Sequence, residues 1–400
     1  MICRSLTLPF DRKSLFLFGP RQTGKTTLVK ELLSRYDHQF IDLLRNDVLF
    51  QYKSNPSRIR EEAEFALMNR ERYYIVIDEI QRCPELLDEV HALIELHGPK
   101  LKFILTGSSA RKLKRASVNM LGGRAWKFFL FPLTHIELGK RFFLEETLHK
   151  GSLPPIVKEP TKDAFRTLKS YVEVYLKEEI MDEAIVRNIG VFSRFLEIAA
   201  DQSGSIVNYS TISRETGVSS KTVKNYYEIL EDTLVAVKLA PYLKSVRRRL
   251  TTHPKYYLFD IGVVNAMTGN IGKRPQKGTT RYGSLFEHFV VLETHRFLNY
   301  AEADAKCYFW RSSQGAEVDL VIELEDRLLA IEIKSSPNVS PGDLKGLRSF
   351  MSDCRSAEPV CVSTCHTPYR IGGVSVIPWQ MLFEEGYLIP PLGSSSRGDD

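Results

Sequence analysis

The stretch SLFLFGPRQTGKTTLVKELL, residues 14–33, decides the fold, because an apolar strand pattern runs through a glycine-bounded loop into a helical pattern. The loop fits GxxxxGK[ST] through Gly19, Gly24, Lys25 and Thr26. In such loops backbone N–H groups surround phosphates, the lysine reaches the β- and γ-phosphates, and the hydroxyl ligates magnesium. The stretch therefore predicts a site for ATP and Mg²⁺ at the positive end of the helix dipole. The predicted nucleotide-binding residues of the loop are Gly19, Pro20, Arg21, Gln22, Thr23, Gly24, Lys25, Thr26 and Thr27.

A later strand ends in two carboxylates. In ERYYIVIDEIQ, residues 71–81, an apolar run leads into Asp78 and Glu79. At the end of a strand in the same sheet, Asp78 would hold the magnesium ion, directly or through water. Glu79 would polarise the water that attacks the γ-phosphate. The pair makes the nucleotide site specific, since two solvated carboxylates after a strand would mean little without the loop.

The strand LKFILTGSSA adds polar candidates at its end. Thr106 and Ser108 could sense the γ-phosphate there, although an ordinary strand-ending turn explains the sequence equally well. Arg111 and Arg124 could supply a positive charge to the transition state, in cis or from a neighbouring subunit. Each arginine can also be interpreted as a surface residue, and this interpretation is favoured for Arg111. Thr106 is thus a candidate nucleotide contact and Arg124 a candidate catalytic arginine.

Strand and helix patterns alternate over the first 150 residues, which predicts a parallel sheet covered by helices on both faces. Five segments, GPRQTGKTT, VIDEIQ, LTGSSA, GGRAWKFFLFPLT and YVEVYLKEEI, resemble a prokaryotic AAA+-type ATPase family. The resemblance covers nearly the whole chain and extends to a C-terminal domain catalogued as being of unknown function. It implies an ATPase core in which the catalytic glutamate, here Glu79, follows the Walker B aspartate, here Asp78. Its relatives often form rings, which leaves a homo-oligomer open.

The middle of the chain begins at GSLPPIVKEP, residues 151–160, whose prolines and glycine predict a linker. Residues 208–233 then predict a short helix, a turn with glycine and a longer helix, the succession found in a helix-turn-helix. The strands LVAVKLA and KYYLFD could form a wing. If this part binds DNA, the second helix would enter the major groove with Lys221, Lys224 and Asn225; a packing module between domains is an equally open interpretation. Arginines that could meet phosphates are Arg247, Arg248 and Arg249.

The C-terminal third predicts a helix, three successive strands, a helix, a strand and a closing helix, QMLFEEGY. This layout, with Glu287, Asp319, Glu332 and Lys334, resembles the signature of restriction-endonuclease-like nucleases. Asp319 and Glu332, on neighbouring strands, could converge on one magnesium ion, which prefers oxygen ligands and stabilises charge on a phosphate. Lys334 projects from the same strand face as Glu332 and would orient or deprotonate a water. An exposed amphipathic hairpin, or an inactive fold of this kind, stays open as an alternative.

Composition excludes little. Of the 400 residues, 43% are hydrophobic and 26% are charged, which suits a globular protein with real cores. No apolar run reaches the ~18 residues of a membrane span, and no cleavage site indicates a signal peptide. The six cysteines form no CxxC pair, so reduced thiols in a cytoplasm are expected. A net charge of +6 is a weak hint of a polyanionic partner.

These observations predict an α/β protein with a P-loop AAA+-type ATPase domain at 1–150, a helical connector and winged helix at 151–270, a restriction-endonuclease-like domain at 280–388 and a disordered tail at 389–400. The leading hypothesis is an ATP-hydrolysing AAA+-type ATPase that acts on or at DNA, with a Mg²⁺-dependent nuclease-like C-terminal domain. The alternative is a nucleotide-dependent switch that docks a protein partner on a non-cutting C-terminal platform. The predicted catalytic residues are Lys25, Glu79, Arg124, Glu332 and Lys334, and the predicted metal ligands are Thr26, Asp78, Glu287, Asp319 and Glu332.

Overall fold

The structure is a computed structural model that describes residues 2–109, 111, 121–176, 189–243 and 253–389. Over these residues the chain divides into two compact units, each built on its own β-sheet. The first unit consists of Met1–Gly139, Ser152–Phe192 and Lys221–Ala236, and the second of Lys140–Gly151, Ser193–Ser220 and Val237–Asp400.

The helices accompany both sheets. Those in the described residues are, in chain order, α1 (Lys25–Leu32), α2 (Asn46–Ser54), α3 (Arg58–Leu67), α4 (Leu86–His97), α5 (His135–Leu138), α6 (Leu144–Lys150), α7 (Pro154–Lys158), α8 (Thr161–Ser170), α9 (Ile189–Asp201), α10 (Tyr209–Thr216), α11 (Ser220–Asp232), α12 (Ile261–Met267), α13 (Thr280–Tyr300) and α14 (Lys345–Asp353). A π-helical segment, Tyr171–Leu176, follows α8. None of the described helices offers the long apolar run needed to cross a bilayer.

A parallel sheet forms the centre of the first unit. Its strands within the described residues are β1 (Ser14–Phe18), β2 (His38–Asp42), β3 (Tyr73–Asp78), β4 (Leu101–Gly107) and β5 (Ala125–Phe129). They lie in the order β2-β3-β4-β1-β5, and all neighbouring pairs are parallel. Every residue of β1 is buried, because helices cover both faces of the sheet. The predicted α/β class with a parallel N-terminal sheet is confirmed.

A mixed sheet forms the centre of the second unit. Its strands within the described residues are β6 (Ala236–Pro241), β7 (Lys255–Leu258), β8 (Lys306–Arg311), β9 (Glu317–Glu323), β10 (Leu328–Lys334), β11 (Glu358–Ser363), β12 (Tyr369–Ile371) and β13 (Val374–Pro378). They lie in the order β12-β13-β11-β10-β9-β8-β6-β7. The meander β8-β9-β10 is antiparallel, whereas β10 and β11 are parallel. Ile331 and Ile333 pack into the apolar core with α13, so Glu332 and Lys334 project from the opposite face of β10.

Three segments differ from the pattern-based expectation. The linker at 151–160 contains the helix α7, because its prolines occupy the first turn, where a missing N–H costs nothing. The two strands expected to form a wing, β6 and β7, lie side by side and also extend the eight-stranded sheet beyond β8, so their role as a wing stays a prediction. The expected closing helix is only a short 3-10 turn, Trp379–Phe383, which follows β13. The two helices expected within 208–233 are present as α10, which Gly217 follows, and α11.

Gly346 provides a test of how closely α14 lies against β9. A Cβ atom at this position would stand 1.7 Å from the carbonyl oxygen of Glu317. Gly346→Ala therefore forces the helix away from the strand, and we expect it to lower the free energy of unfolding by about 1–3 kcal/mol. Gly272→Ala is the control, because a Cβ there meets nothing within 4 Å. Urea denaturation of both variants, with hydrogen exchange of β9 peptides, measures the effect; equal stability of the two would contradict this contact.

Candidate functional site

The loop between β1 and α1 holds its own lysine. Gly24 precedes α1 with φ of 93°, a left-handed conformation that favours glycine. Lys25 is 5% exposed, and its ammonium donates hydrogen bonds to the carbonyl oxygens of Gly19, at 2.7 Å, and Pro20, at 3.1 Å. The Thr23 hydroxyl closes the loop by donating to the same Pro20 oxygen at 2.9 Å. The loop is thus a preformed ring around a buried cation.

A buried carboxylate connects this loop to the sheet. Asp78, at the end of β3, accepts a hydrogen bond from the Thr26 hydroxyl through Oδ2 at 2.8 Å, and one from the Thr106 hydroxyl through Oδ1. Burial raises the pKa of Asp78 above its usual value, although both hydroxyls lower it. The Thr26 hydroxyl and the Asp78 carboxylate offer the oxygen donors that Mg²⁺ prefers. The structure therefore brings together three residues that the sequence singled out separately.

Glu79 is held by a glutamine that the sequence analysis did not select. Glu79 has φ of 60°, uncommon for a residue with a side chain, and its backbone N–H donates to the Thr106 hydroxyl oxygen at 3.2 Å. The Gln81 amide donates to the Glu79 carboxylate and, at 3.0 Å, to the Ser108 hydroxyl oxygen. The buried Oε1 of Gln81 has no hydrogen-bond partner in the described structure. Gln81 lies two positions after Glu79. This spacing does not by itself predict a role for Gln81, which only its hydrogen bond to Glu79 shows.

Arg4 also lay outside the predicted site, because it precedes every motif. Its guanidinium donates to the carbonyl oxygens of Thr23, at 2.8 Å, and Phe131, at 2.6 Å. It also donates to Glu137 at 3.0 Å, and the side chain of Glu137 is fully buried. Arg4 therefore links the phosphate-binding loop, at Thr23, to the buried Glu137, which lies 133 positions after Arg4 in the chain.

The two candidate arginines are each paired with a carboxylate of the first unit. Arg111 contacts Asp232 on α11 at 2.5 Å, and Arg124 contacts Glu95 on α4. Neither of these contacts involves the phosphate-binding loop, so a role for Arg124 at the nucleotide stays a prediction.

The basic residues singled out for nucleic acid divide into two groups. Lys221, Lys224 and Asn225 are exposed on α11, while the neighbouring Val223 and Tyr226 are buried. These three are therefore available at a surface. The second group lies outside the described part of the chain and consists of Arg247, Arg248 and Arg249.

In the second unit, Asp319, Glu332 and Lys334 come together across β9 and β10. The Lys334 ammonium contacts Glu332 Oε1 at 2.6 Å, and Asp319 Oδ2 accepts a hydrogen bond from the backbone N–H of Ile333 at 2.8 Å. Burial raises the pKa of Asp319 well above its usual value, and the charges of Glu287 and Glu332 raise it further. Burial alone would lower the pKa of Lys334, but Glu332 and Asp319 outweigh it and raise that pKa. An ammonium can orient a water or stabilise charge, whereas deprotonating water requires the neutral amine that these carboxylates disfavour.

Glu287 has partners that the sequence did not reveal. Its Oε1 accepts a hydrogen bond from the Tyr257 hydroxyl at 2.7 Å and lies 3.3 Å from the Lys255 ammonium, both on β7. The same ammonium contacts Glu317 Oε1 at 2.6 Å. Burial would lower the pKa of Lys255, but the carboxylates of Glu287, Asp319 and Glu317 raise it above its usual value. Lys255 stands in a segment selected only as a strand, so its charge had no predicted role.

The donor atoms around Asp319 fit one magnesium ion. Glu332 Oε2 is buried and has no hydrogen-bond partner in the described structure. The mutual repulsion of the carboxylates is also what a divalent cation would relieve. No three His, Cys, Asp or Glu side chains in the described ranges stand as a ready-made metal cluster. Two carboxylates suffice for Mg²⁺, which usually retains waters and substrate phosphates as its other ligands.

Three family models match successive parts of the chain. Residues 11–139 match a model described as an AAA domain. The first unit thus contains an AAA-type P-loop domain. Residues 141–274 and 282–382 match models described as Domain of unknown function (DUF8612) and Domain of unknown function (DUF4143).

Similar whole proteins come from several bacteria. Uncharacterized proteins of Mycobacterium bovis and Mycobacterium tuberculosis are each 25% identical over 345 residues, which cover 86% of this chain and 74% of the relative. An uncharacterized protein of Haemophilus influenzae is 23% identical over 347 residues, which cover 79% of this chain and 80% of that protein. The similarity therefore extends across most of the chain.

Solved structures with a partial likeness come from Thermotoga maritima. Domain III of the replication initiation protein DnaA is 16% identical, with a TM-score of 0.23, covering 56% of this chain and 86% of that one. A protein related to the DNA polymerase III gamma subunit is 11% identical, with a TM-score of 0.24, covering 72% of this chain and 95% of that one.

The buried Arg4–Glu137 pair generates a stability prediction. Arg4→Met leaves the buried Glu137 carboxylate without its cation, and we expect it to cost about 3–5 kcal/mol. Adding Glu137→Gln removes the unpaired charge and should recover part of the loss. Hydrogen exchange of peptides covering residues 14–33 reports the local stability of the loop in each variant.

Arg12→Met is the matched control, because Arg12 is an exposed arginine of the same unit. Exchange in Arg4→Met that is no faster than in Arg12→Met would show that the loop does not depend on Arg4.

Proposed function

We propose that the first unit binds ATP with Mg²⁺ and hydrolyses it. The contact between Thr26 and Asp78, beside the ring around Lys25, is the observation that carries this proposal. It joins a hydroxyl and a carboxylate, both usual magnesium ligands in P-loop proteins, at the edge of the loop that would surround the phosphates. The match to an AAA domain supports the same activity.

The roles of the residues follow from their positions. Lys25 would exchange its two carbonyl contacts for oxygens of the β- and γ-phosphates. Thr26 and Asp78 would hold the Mg²⁺ ion, which neutralises charge that develops on the phosphates. Glu79 would orient the attacking water and accept its proton, once Gln81 releases the carboxylate. Thr106 would keep Asp78 aligned through the hydrogen bond between their side chains.

We also propose that the chain acts at DNA and that its C-terminal part, from 280 to 388, is a Mg²⁺-dependent nuclease-like domain. Asp319 and Glu332 would hold the ion, which stabilises charge on a phosphodiester and activates water. Lys334, as an ammonium, would orient that water or contact the phosphate. The buried, unpaired Glu332 Oε2 supports this proposal. In this proposal, residues 151 to 270 connect the ATPase part to the nuclease-like part. The exposed Lys221, Lys224 and Asn225 of α11 would contact nucleic acid.

The ATPase proposal predicts that Lys25→Ala lowers turnover by roughly 100-fold or more, because a positioned cation on the phosphates is lost. Phosphate release from ATP with Mg²⁺ measures turnover, and calorimetry measures ATP affinity, which should fall as well. Lys30→Ala is the control, since Lys30 is an exposed lysine on the same helix. Turnover that survives in purified Lys25→Ala protein would refute the proposal.

The nuclease proposal predicts that the chain cleaves DNA with Mg²⁺ or Mn²⁺ and that Lys334→Ala lowers cleavage by roughly 100-fold or more. Assays on plasmid and single-stranded DNA measure this rate. Lys345→Ala, an exposed lysine at the start of α14, should cleave like the parent. Absence of cleavage with either metal would instead favour a nucleotide-dependent switch whose C-terminal part docks a protein partner.

A further inference from the structure

Lys255 is a deeply buried charge in the second unit that the proposed reaction leaves without a task. Its residue is 3% exposed, and its ammonium lies between Glu317 Oε1, at 2.6 Å, and Glu287 Oε1, at 3.3 Å. The position borders a cavity of about 280 Å³ that Ser203, Ser205 and Ser284 also line. Lys255 and the two carboxylates that it contacts, Glu287 and Glu317, line this same cavity.

The contacts divide the acidic cluster into two halves. On one side, Glu287 Oε1 accepts the Tyr257 hydroxyl at 2.7 Å in addition to the Lys255 contact, so both contacts hold this carboxylate at β7. On the other side, Lys334 occupies only Oε1 of Glu332, and Oε2 is buried without a partner. The buried acceptor without a partner therefore lies at Glu332, next to Asp319, whereas Glu287 is held at β7.

The charges agree with this division. Four carboxylates, Glu287, Glu317, Asp319 and Glu332, interact with two ammonium groups, Lys255 and Lys334, so the cluster carries two negative charges when all four carboxylates are ionised. One divalent cation carries the charge that would balance them. Arg311 approaches Glu317 at 3.9 Å from a half-exposed position, where solvent screens its charge.

We infer that Lys255 is a resident cation that takes the place of a second metal ion, so that the second unit accepts one divalent ion at Asp319 and Glu332. The inference rests on the proposed Mg²⁺ site and adds how many ions that site accepts. Glu287 then acts on the site through Lys255 and Tyr257 and does not ligate the ion. Lys255 is a positioning residue, because it contacts carboxylates only.

The test measures Mn²⁺ binding to the full chain without nucleotide, by calorimetry. A variant combining Asp319→Asn and Glu332→Gln sets the background. We expect one ion above background in the parent, and in Lys255→Met either a second ion or at least about tenfold tighter binding, because a positive charge beside the ion is gone. Lys306→Met removes an exposed lysine of the same unit and should bind like the parent.

Melting temperature provides a second readout that needs no activity. Lys255→Met leaves Glu287 and Glu317 without their cation, so it should melt lower than the parent in chelator and gain more from Mn²⁺ than the parent does. Lys255→Arg keeps the charge and should behave like the parent. If Lys255→Met does not fold even with Mn²⁺, the number of ions bound by the parent and by Lys255→Arg tests the inference. It expects one ion in each.

The outcomes separate the two proposals. Two ions in the parent, or one ion with unchanged affinity in Lys255→Met, would overturn the role of Lys255 and leave the metal site standing. No ion in the parent or in Lys255→Met would overturn the metal site itself, and the inference with it.

Discussion

The first unit depends on one buried carboxylate that three separate chain segments reach. Asp78 ends β3, Thr106 lies in the neighbouring β4, and Thr26 lies in the first turn of α1, which follows β1. The strand order β2-β3-β4-β1-β5 places β3, β4 and β1 side by side, so their carboxyl ends meet at one edge of the sheet. A buried carboxylate without donors would be costly, and here two hydroxyls satisfy it. The order of the strands therefore brings to Asp78 the two hydroxyls that satisfy it.

The acidic cluster of the second unit also lies on neighbouring strands of a sheet, but different donors surround its carboxylates. Asp319 and Glu332 lie on adjacent strands in the middle of the sheet, and Gly346 lets α14 lie close against β9 at Glu317. Hydroxyls dominate around Asp78, whereas ammonium groups dominate around this cluster. A hydroxyl can accept or donate and so can share its carboxylate with an ion. An ammonium only donates, so each lysine fixes the carboxylate oxygen that it contacts.

Local patterns predicted most of the fold, because both sheets follow from apolar runs bounded by turns. The phosphate-binding loop and the acidic pair were predictable, because the residues of each motif lie within a short stretch of sequence. Arg4, Gln81 and Lys255 were not, because their roles arise from contacts with residues far away in the chain or from the direction of a side chain. Arg4 meets Glu137 across 133 positions and Lys255 meets Glu287 across 32. That β6 and β7 extend the larger sheet was not predictable either, because strand patterns do not reveal which sheet a strand joins.

The lysines of the two sites illustrate how one residue type serves different ends. Lys25 donates to two neutral backbone carbonyls, and a phosphate oxygen would attract an ammonium more strongly than a carbonyl does. Such a lysine can change partners when an anion arrives. Lys334 and Lys255 contact carboxylates instead, and leaving them would strand a buried negative charge. An incoming anion therefore does not easily draw these two lysines away from their carboxylates, and the remaining carboxylate oxygens of the second unit favour a cation.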